Sequence, residues 1–281
     1  MAPVMREAHN IYLPTLYPIE EVIPETGDIK TYRLNASQGS FSYQPGQFAE
    51  VFVPGTGEAP FSITSSPTQE GVLEFSIKRT GCVTDAIHRA NAGDVFGVRG
   101  PYGRGFPVED LRGRPLLFVG GGIGLAPLRS LINYVLSSQK RKEFKDVIIL
   151  YGARTPQDLV FQWELSKWEE RSDLELFTTV DRGDEEWKGR VGLVPNVMKE
   201  NISVDPTQWK AIVCGPPIMI KFTIKALQEM GFQPADIITT LEMRMKCGLG
   251  KCGRCNIGPY YVCKEGPVFT FEELSRMPEE Y

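Results

Sequence analysis

The chain has 281 residues, enough for about two domains. Hydrophobic residues make up 42% of it and charged residues 23%, which argues against disorder, a collagen repeat or a long coiled coil. With 31 Lys and Arg against 35 Asp and Glu the net charge is −4, and no basic block offers a footprint for nucleic acid.

No stretch approaches the ~20 uninterrupted apolar residues of a membrane span. The most apolar one, 116–132, is broken by glycines, Pro127 and Arg129. Residues 1–10 lack a charged-then-apolar leader pattern, so a cytoplasmic location is expected. There are only two histidines, His9 and His88, which excludes chemistry built on several of them.

Residues 1–111 read as β-rich. Strands are predicted at 17–23, 29–34, 47–53, 60–64, 72–78 and 94–99, punctuated by Gly and Pro, with a short helix at 83–90. That spacing suggests an antiparallel barrel or sandwich. After Pro115 the pattern changes. Short apolar runs at 116–119, 147–151, 174–180, 211–214 and 237–241 alternate with helical patterns near 128–136, 157–170, 193–199 and 217–230. Alternation of this kind predicts an open parallel sheet with helices on both faces. Gly231 is placed to cap the last of these helices. The third part, 242–281, is short and rich in Gly and Cys. Its 243–266 stretch is expected to lack an apolar core and to need a bound metal or cluster. Thr270 and Glu273 form a capping-box pattern for a last short helix.

Four of the six cysteines lie in that third part. Cys247, Cys252, Cys255 and Cys263 have the spacing C-x4-C-x2-C-x7-C, and the first three match plant-type [2Fe–2S] spacing. Gly248, Gly250 and Gly253 allow the tight backbone that brings N–H groups to the sulfurs. Lys246, Lys251 and Arg254 would offset the negative charge of a cluster. Four cysteines also suit structural zinc, so zinc, [4Fe–4S] and disulfides stand as alternatives.

The run Gly120-Gly121-Gly122-Ile123-Gly124-Leu125-Ala126-Pro127 joins a buried strand to a helix. Glycines there would let a pyrophosphate reach backbone N–H groups at the helix start. Simple tight packing of strand on helix is the other reading. The run departs from the dinucleotide fingerprint, because Pro127 stands where a third glycine is expected and the second strand ends at Arg154 without an acidic residue. Asp181 and the Cys214-Gly215-Pro216 turn fall at other strand ends, on the sheet edge where ligands of such folds sit.

These motifs, with Met245–Gly253, Tyr261–Phe269 and the Cys-Gly-Pro-Pro-x-Met run ending at Met219, resemble the ferredoxin–NADP reductase superfamily. Within it the chain is similar to the FAD and [2Fe–2S] electron-transfer subunits of sulfhydrogenases, anaerobic sulfite reductases and dihydroorotate dehydrogenases. The resemblance implies a six-stranded antiparallel Greek-key barrel holding FAD (1–111). It implies a five-stranded parallel Rossmann-like sheet holding a nicotinamide nucleotide (112–241), then the cluster loop and tail (242–281). The flavin motif aligns with Ala59-Pro60-Phe61-Ser62-Ile63, Phe61 packing on the ring and Ser62 near its reactive nitrogen. Ala59 replaces the phosphate-binding arginine of many relatives, and Arg79 is the candidate substitute. Ile77, Lys78 and Arg79, then Gly81, Val83 and Thr84, would follow the ribityl chain and pyrophosphate. Gly121, Gly122, Ile123, Gly124, Ala126 and Pro127 would hold the nicotinamide nucleotide, with Gly215, Pro216 and Met219 near its ring. Cys214 would act on the transferring carbon through bulk, or else be a small buried hydrophobe. Arg154 would meet a 2′-phosphate, leaving NAD and NADP both open.

The implied activity is hydride transfer between NAD(P)H and FAD, followed by single electrons through [2Fe–2S] to or from a partner subunit that carries iron–sulfur centres of its own. The cofactors carry this chemistry, which fits the scarcity of histidine. The cluster loop is expected to pack on the parallel-sheet part. Two rivals are a free-standing NAD(P)H reductase and a zinc-stapled nucleotide-binding regulator without redox turnover.

Overall fold

A computed structural model describes residues 10–37 and 41–278. His9 and nearly all of the leader region considered above lie outside the described residues. The first part forms β1 (Thr15–Pro24), β2 (Ile29–Asn35), β3 (Phe48–Val53), β4 (Gly57–Ser62), β5 (Val72–Lys78), α1 (Cys82–His88) and β6 (Val95–Tyr102). The six strands make one antiparallel sheet in the order β4-β3-β6-β1-β2-β5. Its two edges meet just past β4, where the Thr64 N–H donates to the Glu74 carbonyl of β5 at 2.9 Å. The core of this sheet comes from strand alternation: Tyr17, Ile19, Tyr32, Leu34, Phe75, Ile77 and Phe96 all point inward and are buried. His88 closes α1 onto β5 through its ring nitrogen and the Ile77 carbonyl (2.8 Å), a packing role.

A short α2 (Val108–Leu111) leads into the second part. It contains β7 (Leu116–Gly121), α3 (Leu125–Leu136), β8 (Val147–Ala153), α4 (Gln162–Glu169), β9 (Glu175–Val180), β10 (Arg190–Val191), α5 (Val194–Asn201), β11 (Lys210–Cys214), α6 (Pro217–Glu229) and β12 (Ile237–Thr240). The tail adds a small hairpin, β13 (Asn256–Ile257) with β14 (Tyr260–Tyr261), then α7 (Val262–Glu265), β15 (Val268–Thr270) and α8 (Phe271–Leu274).

The second sheet has seven strands, in the order β10-β9-β8-β7-β11-β12-β15. All pairs are parallel except the last. The five expected strands are all present. The two extra edge strands are two and three residues long, too short to leave a periodic signal. Both faces are covered, which is why β7 and β8 are buried at every position. The helices start and stop as their sequences demand. Pro217 opens α6, and Gly231 follows it at φ +98° with the Phe232 N–H bonded back to Leu227 O. At α8, Thr270 Oγ1 accepts from Glu273 N (3.1 Å) while Glu273 Oε2 accepts from Thr270 N (2.8 Å).

Three expectations need correction. The helix over 157–170 is split, because Phe161 adopts φ 56°, a left-handed conformation rare outside glycine. Its N–H donates to Glu25 Oε2 at 2.7 Å and its ring lies 4.9 Å from the Arg129 guanidinium, and these contacts outweigh local helix preference. The cluster segment does not pack on the parallel-sheet part alone. Nor is it without an apolar core: its buried Cys255, Ile257, Val262, Cys263 and Phe269 pack into one small cluster with Phe48 of β3 and Leu241 beyond β12.

Among the described residues no helix is long and apolar enough to cross a membrane. Ile132 on α3 is fully buried between that helix and the sheet. Ile132→Ala is expected to lower unfolding free energy by about 2–5 kcal/mol. Ile218→Ala, on the exposed face of α6, should stay within about 0.5 kcal/mol. Urea denaturation of the two variants checks both.

Candidate functional site

The strand order places the site. β7 continues to β8 on one side of the second sheet, while β11 and β12 lie on the other, so the C-terminal ends of β7 and β11 flank the switch point. Open α/β sheets bind ligands there. The glycine turn leaves β7 as a single 3-10 turn, Gly122–Gly124, and runs directly into α3. A Cβ on Gly124 would lie 2.5 Å from Gly215 Cα, and one on Gly121 would strike Met219. These glycines therefore serve close contact between the two turns. Gly122 differs: it has φ +53° and nothing within 4 Å of where a Cβ would point. Tight packing accounts for Gly121 and Gly124, while Gly122 leaves its backbone uncovered.

In front of that turn lies a cleft of about 330 Å³. All three parts of the chain line it. From the first come Pro60, Phe61, Ser62, Thr64, Ser76, Lys78, Thr80 and Thr84. Ile123, Ala126 and Pro127 face it from the turn, and Leu241, Glu242, Met243 and Met245 from the segment after β12. Ile63 and Ile77 turn inward instead and are fully buried in the first sheet's core, while their neighbours Thr64 and Ser76 face the cleft. Thr84 caps its own helix, its hydroxyl accepting from the Gly81 N–H at 2.8 Å, and Val83 packs partly buried against the first core. Arg79 is largely exposed and paired with Asp85 at 3.0 Å.

Cys214 ends β11 and is buried, with Thr240 Oγ1 donating to its sulfur at 2.9 Å. Burial pushes its thiol up to about 12, so it is neutral near pH 7. Gly215 and Pro216 sit against Gly121 and Met219. Arg154 is exposed and pairs with Asp158 at 3.5 Å. Asp181 stands at the next strand end, its N–H bonded to Ala153 O at 2.9 Å.

The four cysteines of the tail segment form two pairs. Cys247 and Cys252 are within hydrogen-bonding reach of each other, and so are Cys255 and Cys263. Among the described residues no three His, Cys, Asp or Glu side chains converge as one ion site. Backbone N–H groups point at the sulfurs: Leu249 N to Cys247 at 3.3 Å and Gly250 N to Cys263 at 3.1 Å. Burial works against ionisation of Cys247, but the N–H groups of Leu249, Cys252 and Lys251 outweigh it and hold the thiol at about 6. Burial and the neighbouring Cys255 push Cys263 up to about 12. Gly248, Gly250 and Gly253 all have positive φ, as the tight loop requires.

Several residues here gave no signal in the sequence. Arg99 of β6 is nearly buried; it chelates Glu58 of β4 at 2.6 and 2.7 Å and donates to the carbonyls of Lys246 (3.2 Å) and Cys247 (2.8 Å). Glu50 of β3, opposite Arg99 in register, is fully buried with neither carboxylate oxygen hydrogen-bonded. Burial raises it to about 7. Glu242 was findable in principle, since it follows a strand at the ligand-binding edge.

Family models match three consecutive regions: an oxidoreductase FAD-binding domain at residues 17–106, an oxidoreductase NAD-binding domain at 118–225, and the iron–sulfur cluster binding domain of dihydroorotate dehydrogenase B at 242–275. The chain is 40% identical to the sulfhydrogenase 1 gamma subunit of Pyrococcus furiosus, covering 85% of this chain and 82% of that one. It is 34% identical to the probable dihydroorotate dehydrogenase B (NAD(+)) electron transfer subunit of Thermococcus kodakarensis, covering 91% and 96%. The chain belongs to this family of FAD, NAD and iron–sulfur electron-transfer subunits.

Solved structures agree on the fold. One, an NADH-dependent reduced ferredoxin–NADP oxidoreductase, superposes with a TM-score of 0.75 at 24% identity, over 95% of this chain and 91% of that one. A ferredoxin NADP+ reductase from Neisseria gonorrhoeae with bound FAD and NADP gives 0.68 at 22% identity, over 80% and 97%. As an electron-transfer subunit the chain needs three cofactor sites, and the residues present fit each. An apolar cleft carrying hydroxyls and Lys78 suits a flavin, a glycine turn at a switch point suits a dinucleotide, and paired thiols with N–H donors suit a cluster.

Two outcomes follow. Gly124→Ala should weaken NAD(P)H binding and leave FAD content unchanged, as read by dinucleotide titration of the flavin spectrum. Glu50 has a folded pKa raised above its unfolded value, so its effect on stability is unfavourable only once pH rises above about 4.5 and is complete above about 7. Glu50→Gln should thus match the parent below pH 4.5 and gain stability relative to it as pH climbs through 7, measured by denaturation across pH.

Proposed function

We propose that the chain is an NAD(P)H-linked electron-transfer subunit, passing a hydride between a nicotinamide nucleotide and FAD, and single electrons through a [2Fe–2S] cluster to or from a partner subunit. One observation carries this reading. Regions matching the FAD, NAD and iron–sulfur models all line a single cleft, and Met245 in that lining is two residues from Cys247. When bound, the flavin takes electrons as a pair and the cluster takes them singly, and the cofactors supply that chemistry. The residues bind, orient and exclude water.

The three functional units are 1–111, a Greek-key flavin barrel supported by the strand order; 112–241, the nucleotide-binding part; and 242–281, the cluster part. Phe61 is assigned to the flavin ring and Ser62 to its reactive edge, both on the cleft wall. Lys78, with Gly81 and the start of α1, takes the ribityl and phosphate end. The first turn of α3 and Gly122 take the nicotinamide nucleotide's pyrophosphate. Gly215, Pro216 and the neutral Cys214 thiol back the nicotinamide, and Arg154 and Asp181 border its adenosine end. Cys247, Cys252, Cys255 and Cys263 would together hold the cluster.

The relatives' names describe subunits of sulfhydrogenase and dihydroorotate dehydrogenase, which supports a partner subunit here. Cys252 is exposed, as are Arg244, Lys246, Lys251 and Arg254 of the same segment, and their positive charge suits a partner with an acidic surface. A cytoplasmic setting, where thiols stay reduced, suits such a cluster.

Anaerobically prepared protein reconstituted with FAD, iron and sulfide should show flavin and iron–sulfur absorption, and both should bleach on adding NADH or NADPH. A colourless zinc protein defeats the reading, and fast steady reduction of free flavin without a partner favours the free-standing reductase. In Cys252→Ser the cluster bands should fall sharply while FAD content and flavin bleaching by NAD(P)H persist.

A further inference from the structure

Helix α3 starts at the glycine turn, where Ala126 and Pro127 face the cleft, and two residues later buries Arg129. Arg129 and Glu74 of β5 are each 1% exposed. Arg129 Nη1 donates to Glu74 Oε2 at 2.6 Å and to the Thr64 carbonyl at 3.3 Å. Its Nε and Nη2 donate to the carboxylate of Glu164 on α4. The next residue, Ser130, donates from Oγ to the Ser65 carbonyl at 2.6 Å. Adjacent residues of the nucleotide helix thus grip adjacent carbonyls of the chain that has just left the flavin strand at Ser62. Glu74 is held from its far side by Arg33 Nε at 2.8 Å, and Glu164 by Asn133 Nδ2 at 2.9 Å.

Burying these charges needs a reason other than stability, since a buried ion pair gains little over an apolar contact of the same shape. What a guanidinium supplies is direction, because its planar fork fixes the angle between its partners as well as the distance. The gripped carbonyls lie two and three residues from Ser62, and the gripping residues two and three from Pro127. An extended chain advances only ~3.3–3.6 Å per residue and a helix 1.5 Å, so the tie sits within about 10 Å along the chain of both cleft walls.

We propose that Arg129 is a positioning residue for hydride transfer: it sets the nucleotide-binding turn of α3 against the flavin strand β4 at the separation the reaction needs. This rests on the cofactor assignments above. The step it serves moves two electrons and one proton together, as hydride, from reduced nicotinamide to flavin; the nucleotide is oxidised, the flavin reduced, and Arg129 exchanges nothing.

Two variants test it. Arg129→Lys keeps the charge and loses the fork, and Ser130→Ala removes the neighbouring tie while leaving the ions in place. FAD-loaded protein is mixed anaerobically with the nucleotide that bleaches wild type and followed by stopped-flow absorbance. FAD content and the nucleotide dissociation constant should stay within ~3-fold of wild type, while flavin bleaching slows about 10- to 100-fold in Arg129→Lys and less in Ser130→Ala. The long-wavelength band of stacked nicotinamide and flavin should weaken in parallel. Bleaching that slows only as far as FAD is lost or nucleotide binding weakens means a structural role and overturns the inference. If Arg129→Lys does not fold, the rate and band of Ser130→Ala decide. Variants that bleach as fast as a bleachable wild type sink the role of Arg129 alone; a wild type that does not bleach sinks the proposed function instead.

Discussion

Three arginines hold the parts of this molecule in register, and each reaches from one part into another. Arg129 ties α3 to β5, and Arg99 ties β4 and β6 to the cluster loop. Arg104, just after β6, donates from Nη2 to the Val268 carbonyl at 2.6 Å and from Nη1 to Glu273 Oε1 at 2.7 Å in the tail. Of these only the Arg129–Glu74 pair is buried on both sides; removing one of its partners strands the other charge and costs about 3–5 kcal/mol, although the intact pair adds little. The asymmetry suits a molecule whose parts must meet at one angle. Apolar contacts between them tolerate sliding, whereas a forked, buried ion pair does not.

That constraint explains where the site lies. Each part on its own presents half a wall: hydroxyls and Phe61 from the first sheet, a glycine turn from the second, and two methionines from the segment beyond. Only their join encloses a cleft. The glycines at the switch point serve the same end, since Gly124 and Gly215 let two turns touch backbone to backbone and Gly121 leaves room for Met219. A side chain at Gly121 or Gly124 would push the turns after β7 and β11 apart.

The elements were legible wherever the signal was local. Strand alternation, buried apolar runs, the Cys spacing and the Thr270 capping box all depend on residues near one another in sequence, and all appear where expected. Elements and contacts decided at long range were not legible. β15 is three residues long and is a strand because β12 offers it an edge. Phe161 breaks a helix because Glu25, 136 residues away, takes its N–H. Arg129 falls within an apolar helical pattern, and nothing nearby announces Glu74 as its partner. Ile63 and Ile77 sit beside cleft residues in sequence, yet strand alternation sends their side chains to the other face.

The same geometry shortens the path that electrons need. Residues 242–252 run from the cleft wall to the surface: Glu242, Met243 and Met245 line the cleft, Cys247 is half-buried, and Cys252 is exposed. Met245 and Cys247 are two residues apart, at most about 7 Å of extended chain. That short stretch is not free to drift, because Arg99 grips the carbonyls of Lys246 and Cys247 and anchors itself on Glu58, two residues before Pro60 on β4. The cleft wall and Cys247 are therefore fastened to the same strand, β4. A full ferredoxin domain on a linker would have to find its contact by motion. Here a loop of about twenty residues is built into the join, and its most exposed cysteine, Cys252, faces outward.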